Sequence, residues 1–412
     1  MARATRTGGR EATAAVIPGK AALSVGRPDL QEPEGFTWAA LSEAARLESG
    51  HTPSRNHPEY WDGGIPWVGL RDATGNHGRL LARTEQTVSE LGVENSSTRL
   101  LPKDTVCLSR TASVGYVVQL AVAMCTSQDF VNWVCGPDLN PNYLRYLLMS
   151  EQEMIRRVAY GTTHQTMYYP DAKALHVLMP GRAQQDAIAE VLGALDDKIA
   201  SNSTLAGRAK DVIRADLSLA RADGERKVLL GQLVEFHNRK RVPLSSRERD
   251  VRRGNVPYWG ANGVLGHVDK ALFNEPLVLV GEDGTVETDD GHPVVHYVWG
   301  PTWVNNHAHV LTGRGVSTEL LRYLVEAGGV SPLITGAVQP KLSMGNLKRL
   351  ELVLPVHGLD RVEAHCLALQ KRVVACAEES RHLATLRDTL LPHLMSGRLT
   401  VRDAEARVEA AL

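Results

Sequence analysis

The sequence predicts an α+β protein: two similar mixed α/β domains separated by a pair of long antiparallel coiled-coil helices, with an internal pseudo-twofold repeat. Three observations predict it. The chain repeats an ordered set of segments, each copy is built of short apolar runs, and each copy is followed by a proline-poor stretch with one apolar stripe. The repeat matches "IPWVGLRDATG" (65–75) with "VPYWGANGVLG" (256–266), "NYLRYLL" with "ELLRYLV", and "ALHVLMP" (174–180) with "RLELVLP" (349–355). The order is kept throughout. The spacing between matches shrinks along the chain, so the first copy is the longer and the two share a scaffold while differing in loops.

At 412 residues the chain exceeds one ordinary core. Hydrophobic residues at 43% and charged residues at 23% exclude a largely disordered chain. A formal charge of -1 supplies no global field toward nucleic acid, so any such binding comes from local patches or partner subunits. Five cysteines without a C-x-x-C spacing speak against a disulfide framework or a zinc ribbon and read as cytosolic thiols. No stretch approaches the roughly 20 apolar residues of a membrane span.

The elements follow in order. Residues 1–35, basic at the start and lacking a continuous apolar segment, are expected to form a disordered tail. Residues 36–181 form the first domain, with strands over "TVCLS" (105–109) and "GYVVQLAVA" (115–123) and helical spacing over "NYLRYLLMSEQEMIRRVA". Residues 182–224 carry the first long helix, with apolar or small residues at Ile188, Leu192, Leu195, Ile199, Ala206, Ala209 and Ile213; Asn202 interrupts the stripe and either sets register or faces outward. The second domain spans 225–356, with strands over "PLVLVG" (276–281) and "VVHYVWG" (294–300) and a helix over "STELLRYLVEAG". Residues 357–400 hold the second long helix, with Val362, Cys366, Leu369, Val373, Cys376, Leu383, Leu386 and Leu390 on its stripe, Asp360 as N-cap and Gly397 as stop. A C-terminal tail covers 401–412. Each stripe needs a cover, and the economical solution is the other helix; about 38 residues give a rod of roughly 57 Å.

Three segments invite chemistry. In "TWVNNHAHVL" (302–311), His307 and His309 stand two apart, which in a strand places both on one face. No third ligand or H-E-x-x-H completes a site, and the first copy offers only "TSQDFVNWV" at this place. The preferred reading is side chains that satisfy backbone groups in a turn, with base or phosphate contact second. "GEDGTVETDDG" (281–291) lacks the D-x-[DN]-x-[DN]-G calcium spacing and reads as a solvated turn. "HNRKRVPLSSRERDVRRG" (237–254) clusters Arg239, Lys240, Arg241, Arg247, Arg249, Arg252 and Arg253 and can neutralise phosphates, or form a solvated loop.

Taken together, "SGHTPSRNHPEYWDGGIPWVGLRD" (49–72), "LDDKI" (195–199), "VPYWGANGVLGHVDKALF" (256–273), "LVLVGEDGT", "WVNNHAHVL", "TGAVQPKLS" (335–343) and "LRDTLLPHLMSGRL" (386–399) resemble the specificity subunit of type I restriction-modification enzymes. The resemblance spans roughly 36–400 and is looser in the first domain after Asp72. It implies two target-recognition domains, each reading half of a split DNA sequence, joined by helices that pair antiparallel as a ruler. It implies methyltransferase subunits that use S-adenosylmethionine at adenine N6, and ATP-driven translocating nuclease subunits with Mg2+. The specificity subunit itself would catalyse nothing, hold no metal and work in the prokaryotic cytoplasm.

Base reading needs donors and acceptors on loops that reach the major groove. The candidates are Arg110, Thr163, His164 and Gln165 in the first domain, and Arg239, Arg241, Asn306, Gln339 and Lys341 in the second. Ile188, Leu192, Leu195, Ile199, Ile213, Val362, Leu369, Val373, Leu383, Leu386 and Leu390 are the candidates for helix pairing and partner docking. Two other readings stay open: a histidine-metal nuclease built on "NNHAHV", and a scaffold or anti-restriction protein that keeps the helices without reading DNA.

Overall fold

The computed structural model of the protein describes residues 15–161, 165–336 and 338–411. The chain divides into two compact units, one of Met1–Ala200 with Ser380–Leu412 and the other of Ser201–Glu379.

In the first unit the strands are β1 (Ile17–Pro18), β2 (Leu23–Val25), β3 (Phe36–Ala40), β4 (Ala45–Ser49), β5 (Trp61–Val68), β6 (Leu80–Leu81), β7 (Gln86–Val88), β8 (Val106–Ser109), β9 (Val117–Leu120), β10 (Cys125–Thr126), β11 (Phe130–Cys135) and β12 (Leu175–Pro180). They form sheets ordered β1-β2-β12-β3, β10-β5-β7 and β4-β11-β8-β9-β6. The central strands β8 and β9 are buried along their length, which is why they read as continuous apolar runs. Helix Pro141–Ser150 starts on Asn140, whose side chain accepts from the amides of Asn142 and Tyr143, and has proline in its first turn. The continuous helix expected over 142–159 breaks at Glu151 and resumes as Gln152–Arg157.

The second unit holds β13 (Glu225–Leu229), β14 (Val234–Phe236), β15 (Val256–Gly260), β16 (Gly263–Val268), β17 (Phe273–Asn274), β18 (Leu277–Gly281), β19 (Val295–Val298), β20 (Pro301–Val304), β21 (Ala308–Gly313) and β22 (Glu351–Pro355). Its sheets run β13-β22, β14-β21-β18-β19 and β16-β15-β20-β17. The duplication seen in sequence holds in the pairing. β11 lies between β4 and β8, as β21 lies between β14 and β18. β10 runs parallel to β5, as β20 does to β15. Helix Thr318–Glu326, capped by Ser317, answers to Pro141–Ser150.

The first long helix is Arg182–Ala222 and the second is Leu359–Met395. Within the first unit, Ile188, Leu192, Leu195, Leu383 and Leu390 are buried in one core, with Ile199 and Leu386 packed at its margin. There Arg387 donates from Nη1 to Asp196 Oδ1 at 2.6 Å. Within the second unit Ile213, Val362 and Cys366 share a core with Leu369 at its edge, while Val373 and Cys376 are also buried. Asn202 does not face outward: it is 5% exposed and its Nδ2 donates to Glu379 Oε2 at 2.8 Å. His365 Nδ1 meets Asp216 Oδ2 at 2.5 Å. As one helix advances from 202 to 216 its partner retreats from 379 to 365, so the two run antiparallel here.

Of the tail expected over 1–35, residues 1–14 lie outside the described residues, and the rest, like the tail at 401–412, is built into the first unit. Residues 17–25 are not disordered, because β2 inserts beside β12 and buries Ala22, Leu23 and Val25 completely. The buried carboxylate of Glu151 accepts hydrogen bonds from the amides of Lys20, Ala21 and Ala22, which fixes that turn. At the other end Val401–Glu409 is a helix capped by Thr400, with Ala404 and Val408 buried in the first unit's core. Asp360 is not the N-cap: the helix opens at Leu359, after Gly358 at φ 71°, and Asp360 sits in the first turn, where a carboxylate favours the exposed amides. Gly397, at φ 68°, ends the helix as expected, with the amides of Arg398 and Leu399 both donating to the His393 carbonyl. All five cysteines are free.

Candidate nucleic-acid interface

The residues singled out in the first unit meet at one turn. β8 runs into Arg110-Thr111-Ala112, where Ala112 takes a positive φ of 59°. The amide of Ala112 donates to Gln165 O at 3.0 Å and that of Met167 to Arg110 O at 2.8 Å, while Thr166 bridges to both Thr111 and Tyr160. The loop containing the candidates is therefore pinned at its base to the end of a central strand. Gln165 is exposed; Thr163 and His164 lie outside the described residues. Arg110 is held in place, its Nε donating to Gln128 O and its guanidinium 5.1 Å from the Tyr169 ring.

The second unit builds the same turn from different residues. β18 runs into Glu282-Asp283-Gly284, with Gly284 at φ 81° in the place of Ala112. Gly284 donates to Pro340 O, Leu342 to Glu282 O, and Lys341 bridges to Asp283 and Thr335. Gln339 and Lys341 are exposed on this loop, and Asn306 is exposed on the turn before β21. A cation in the first unit, Arg110, thus stands where the second has an anion, Glu282.

Glu282 is enclosed, with a side chain 17% exposed, so the acidic loop is not simply the solvated turn expected. Arg241, 14% exposed, donates from Nη1 to Glu282 Oε2 at 2.7 Å and also to the carbonyls of Asn306 and Ala308, and from Nε to that of Asn238. Arg241 thereby ties the turn to the sheet. Lys341 Nζ lies 3.9 Å from Glu282 Oε1.

The two histidines do not share a face. β21 begins at Ala308, so His307 belongs to the preceding turn, where its Nδ1 meets Asp283 Oδ1 at 2.7 Å and the ring is half exposed. His309 is fully buried: Nε2 donates to Leu342 O at 2.7 Å, and Nδ1 accepts from Asn238 Nδ2 at 2.9 Å. That pairing requires the neutral ring, and burial holds its pKa below the ordinary histidine value. Among the described residues no three His, Cys, Asp or Glu side chains are placed to hold a metal ion. Sequence reasoning missed Asn238, which also accepts from the amide of Val310 and so fixes both the strand and the imidazole.

The basic stretch folds around helix Ser246–Val251, opened by a reciprocal cap between Ser245 and Glu248. Arg252 pairs with Asp269 and lies over Trp303, and Arg253 pairs with Asp250. Arg239 and Arg247 are exposed, and among the described residues neither forms an ion pair. A cleft of about 410 Å³ opens beside this helix, bounded by Arg249, Arg253, Gly254, Leu265, Gly266 and His267 among others.

Residues 33–207 match the family model of the type I restriction modification DNA specificity domain. The type I restriction enzyme MjaIX specificity subunit of Methanocaldococcus jannaschii is 22% identical over 414 residues, covering 90% of this chain and 95% of that protein. The EcoprrI specificity subunit of Escherichia coli is 23% identical over 345 residues, covering 77% and 83%. The crystal structure of a type I restriction-modification S subunit from M. genitalium has the same fold, with a TM-score of 0.53 and 19% identity over 89% of this chain and 98% of that one. The relatives and the solved structure that this chain resembles are specificity subunits of type I restriction-modification systems. No helix among the described residues is long and apolar enough to cross a membrane.

Proposed function

We propose that each unit reads one half of a bipartite DNA sequence and that the paired long helices set the gap between the halves and dock methyltransferase subunits. One observation carries the reading: the two units share a strand plan and a pinned loop, yet place different residues at equivalent points, Arg110-Thr111-Ala112 against Glu282-Asp283-Gly284. A common scaffold with divergent loops suits two different half-sites. Gln165 with its neighbours Thr163 and His164 contacts the first half-site; Asn306, Gln339 and Lys341 contact the second, and Arg239 adds a phosphate contact.

On this reading the chain performs no chemistry itself. Its partners are double-stranded DNA, adenine-N6 methyltransferase subunits that bring S-adenosylmethionine, and ATP- and Mg2+-dependent translocase-nuclease subunits. The complex works in the cytoplasm. Mapping N6-methyladenine across the genome of a host expressing this chain with a methyltransferase subunit tests it. A motif of two short specified halves around a fixed unspecified gap is expected; a continuous motif, or methylation that does not depend on this chain, overturns the reading.

A further inference from the structure

The second unit has an obvious basic stretch, whereas the first has only scattered cations in sequence. The duplicated fold supplies the missing counterpart. In both units the connection leading to the strand that carries the matched proline, β4 to β5 and β14 to β15, crosses the aromatic residue after that proline. In the first unit Trp67 donates from Nε1 to His51 O at 3.1 Å. In the second the Tyr258 hydroxyl accepts from the amide of Leu244 at 2.8 Å. Each connection then lays one arginine over an aromatic ring at this place, Trp61 beside Trp67 in the first unit and Tyr258 in the second. The Arg55 guanidinium is 3.4 Å from the Trp61 ring centre and 5.6 Å from that of Trp67, with Nη2 donating to Gln86 Oε1 at 2.7 Å. The Arg249 guanidinium is 5.2 Å from the Tyr258 ring, with Nη1 donating to Leu244 O at 2.8 Å.

We infer that Arg55 and Arg249 are equivalent DNA-backbone contacts, one in each unit, each presenting to a phosphate a guanidinium set over an aromatic ring. This rests on the DNA-reading function proposed above and adds residues to it. A guanidinium set over a ring and tied by some of its N–H groups has lost rotamer freedom before DNA arrives; Arg249 also donates from Nη2 to Ser246 Oγ at 3.2 Å, and since each Nη carries two hydrogens, one on each is left to meet a phosphate. Arg55 is exposed beside Asn56 and His57, and Glu59 in the same loop is engaged by His57 at 3.0 Å. Arg249 lines the cleft with Arg253 and His267, where Asp250 is engaged by Arg253. The glycines that line the same cleft, Gly254 and Gly266, let a backbone approach where a side chain would stand.

Phosphate contact and base reading leave different signatures. Binding of the full-length chain to its methylated motif and to a duplex of unrelated sequence is measured across a salt series for wild type, Arg55→Gln, Arg249→Gln and the double variant. Each single change is expected to lower the slope of log affinity against log salt by about 1 on both duplexes, the double variant by about 2, and Arg55→Lys to restore most of the slope. An unchanged slope with a lowered melting temperature would make the arginines packing residues only and overturn the inference. So would a loss confined to the methylated motif, which would mark them as base readers. A wild-type chain without preference for either duplex would sink the specificity reading while the slopes still judged this one.

Discussion

Single residues in the second unit show how a charged cluster can be structural. Arg241 and Glu282 are both enclosed, and the guanidinium also spans carbonyls of Asn238, Asn306 and Ala308. Arg241→Ala leaves a largely enclosed carboxylate without its main partner and is expected to cost about 3 kcal/mol, read as a fall in the urea midpoint. His309 gives a pH dependence with a definite sign. In the unfolded chain an imidazole takes up a proton near pH 6.5, whereas the buried ring resists it because burial lowers its pKa. Its stabilising contribution is therefore complete above about pH 6.5 and is lost as the pH falls through the depressed folded value. The urea midpoint should drop between pH 7.5 and 5.5, and His309→Gln should shrink that drop; an unchanged drop would assign it to His77 or His296, whose burial lowers them too.

For the elements, what could be read from sequence depended on how local the signal was. Both helical stripes were legible because their period is written in neighbouring residues, and Leu390→Ala should cost 2–5 kcal/mol against under about 0.5 for the exposed Leu219→Ala, by thermal or urea denaturation. Asn202 broke the stripe on paper yet is buried, since only its partner Glu379 on the other helix makes an amide welcome there. β1 and β2 were illegible because neither their sheet neighbour β12 nor the carboxylate of Glu151 that fixes their turn is close in sequence. Matching loops escaped notice for another reason: Ala112 and Gly284 share a backbone conformation rather than a side chain. The candidates on those loops were found by residue type, a criterion blind to ties such as those Arg241 makes to Glu282 and the neighbouring carbonyls.

At the scale of the whole molecule, the proposed ruler makes a numerical prediction. Adding seven residues to each long helix at facing positions keeps the stripe and lengthens the pair by about 10.5 Å, equal to about 3 base pairs of duplex. Methylation mapping should show the unspecified gap lengthened by that amount with both halves unchanged; an unaltered gap would take the ruler role away from these helices. The interleaved division of the chain has its own bearing on biosynthesis. Residues 201–379 form one uninterrupted run, but the other core closes only with Leu383, Leu390, Ala404 and Val408. A ribosome therefore delivers everything the later unit requires before the earlier one can finish folding. A chain truncated after position 379 and released should expose its first half to protease while the second half resists, the reverse of the usual order in which amino-terminal domains mature first.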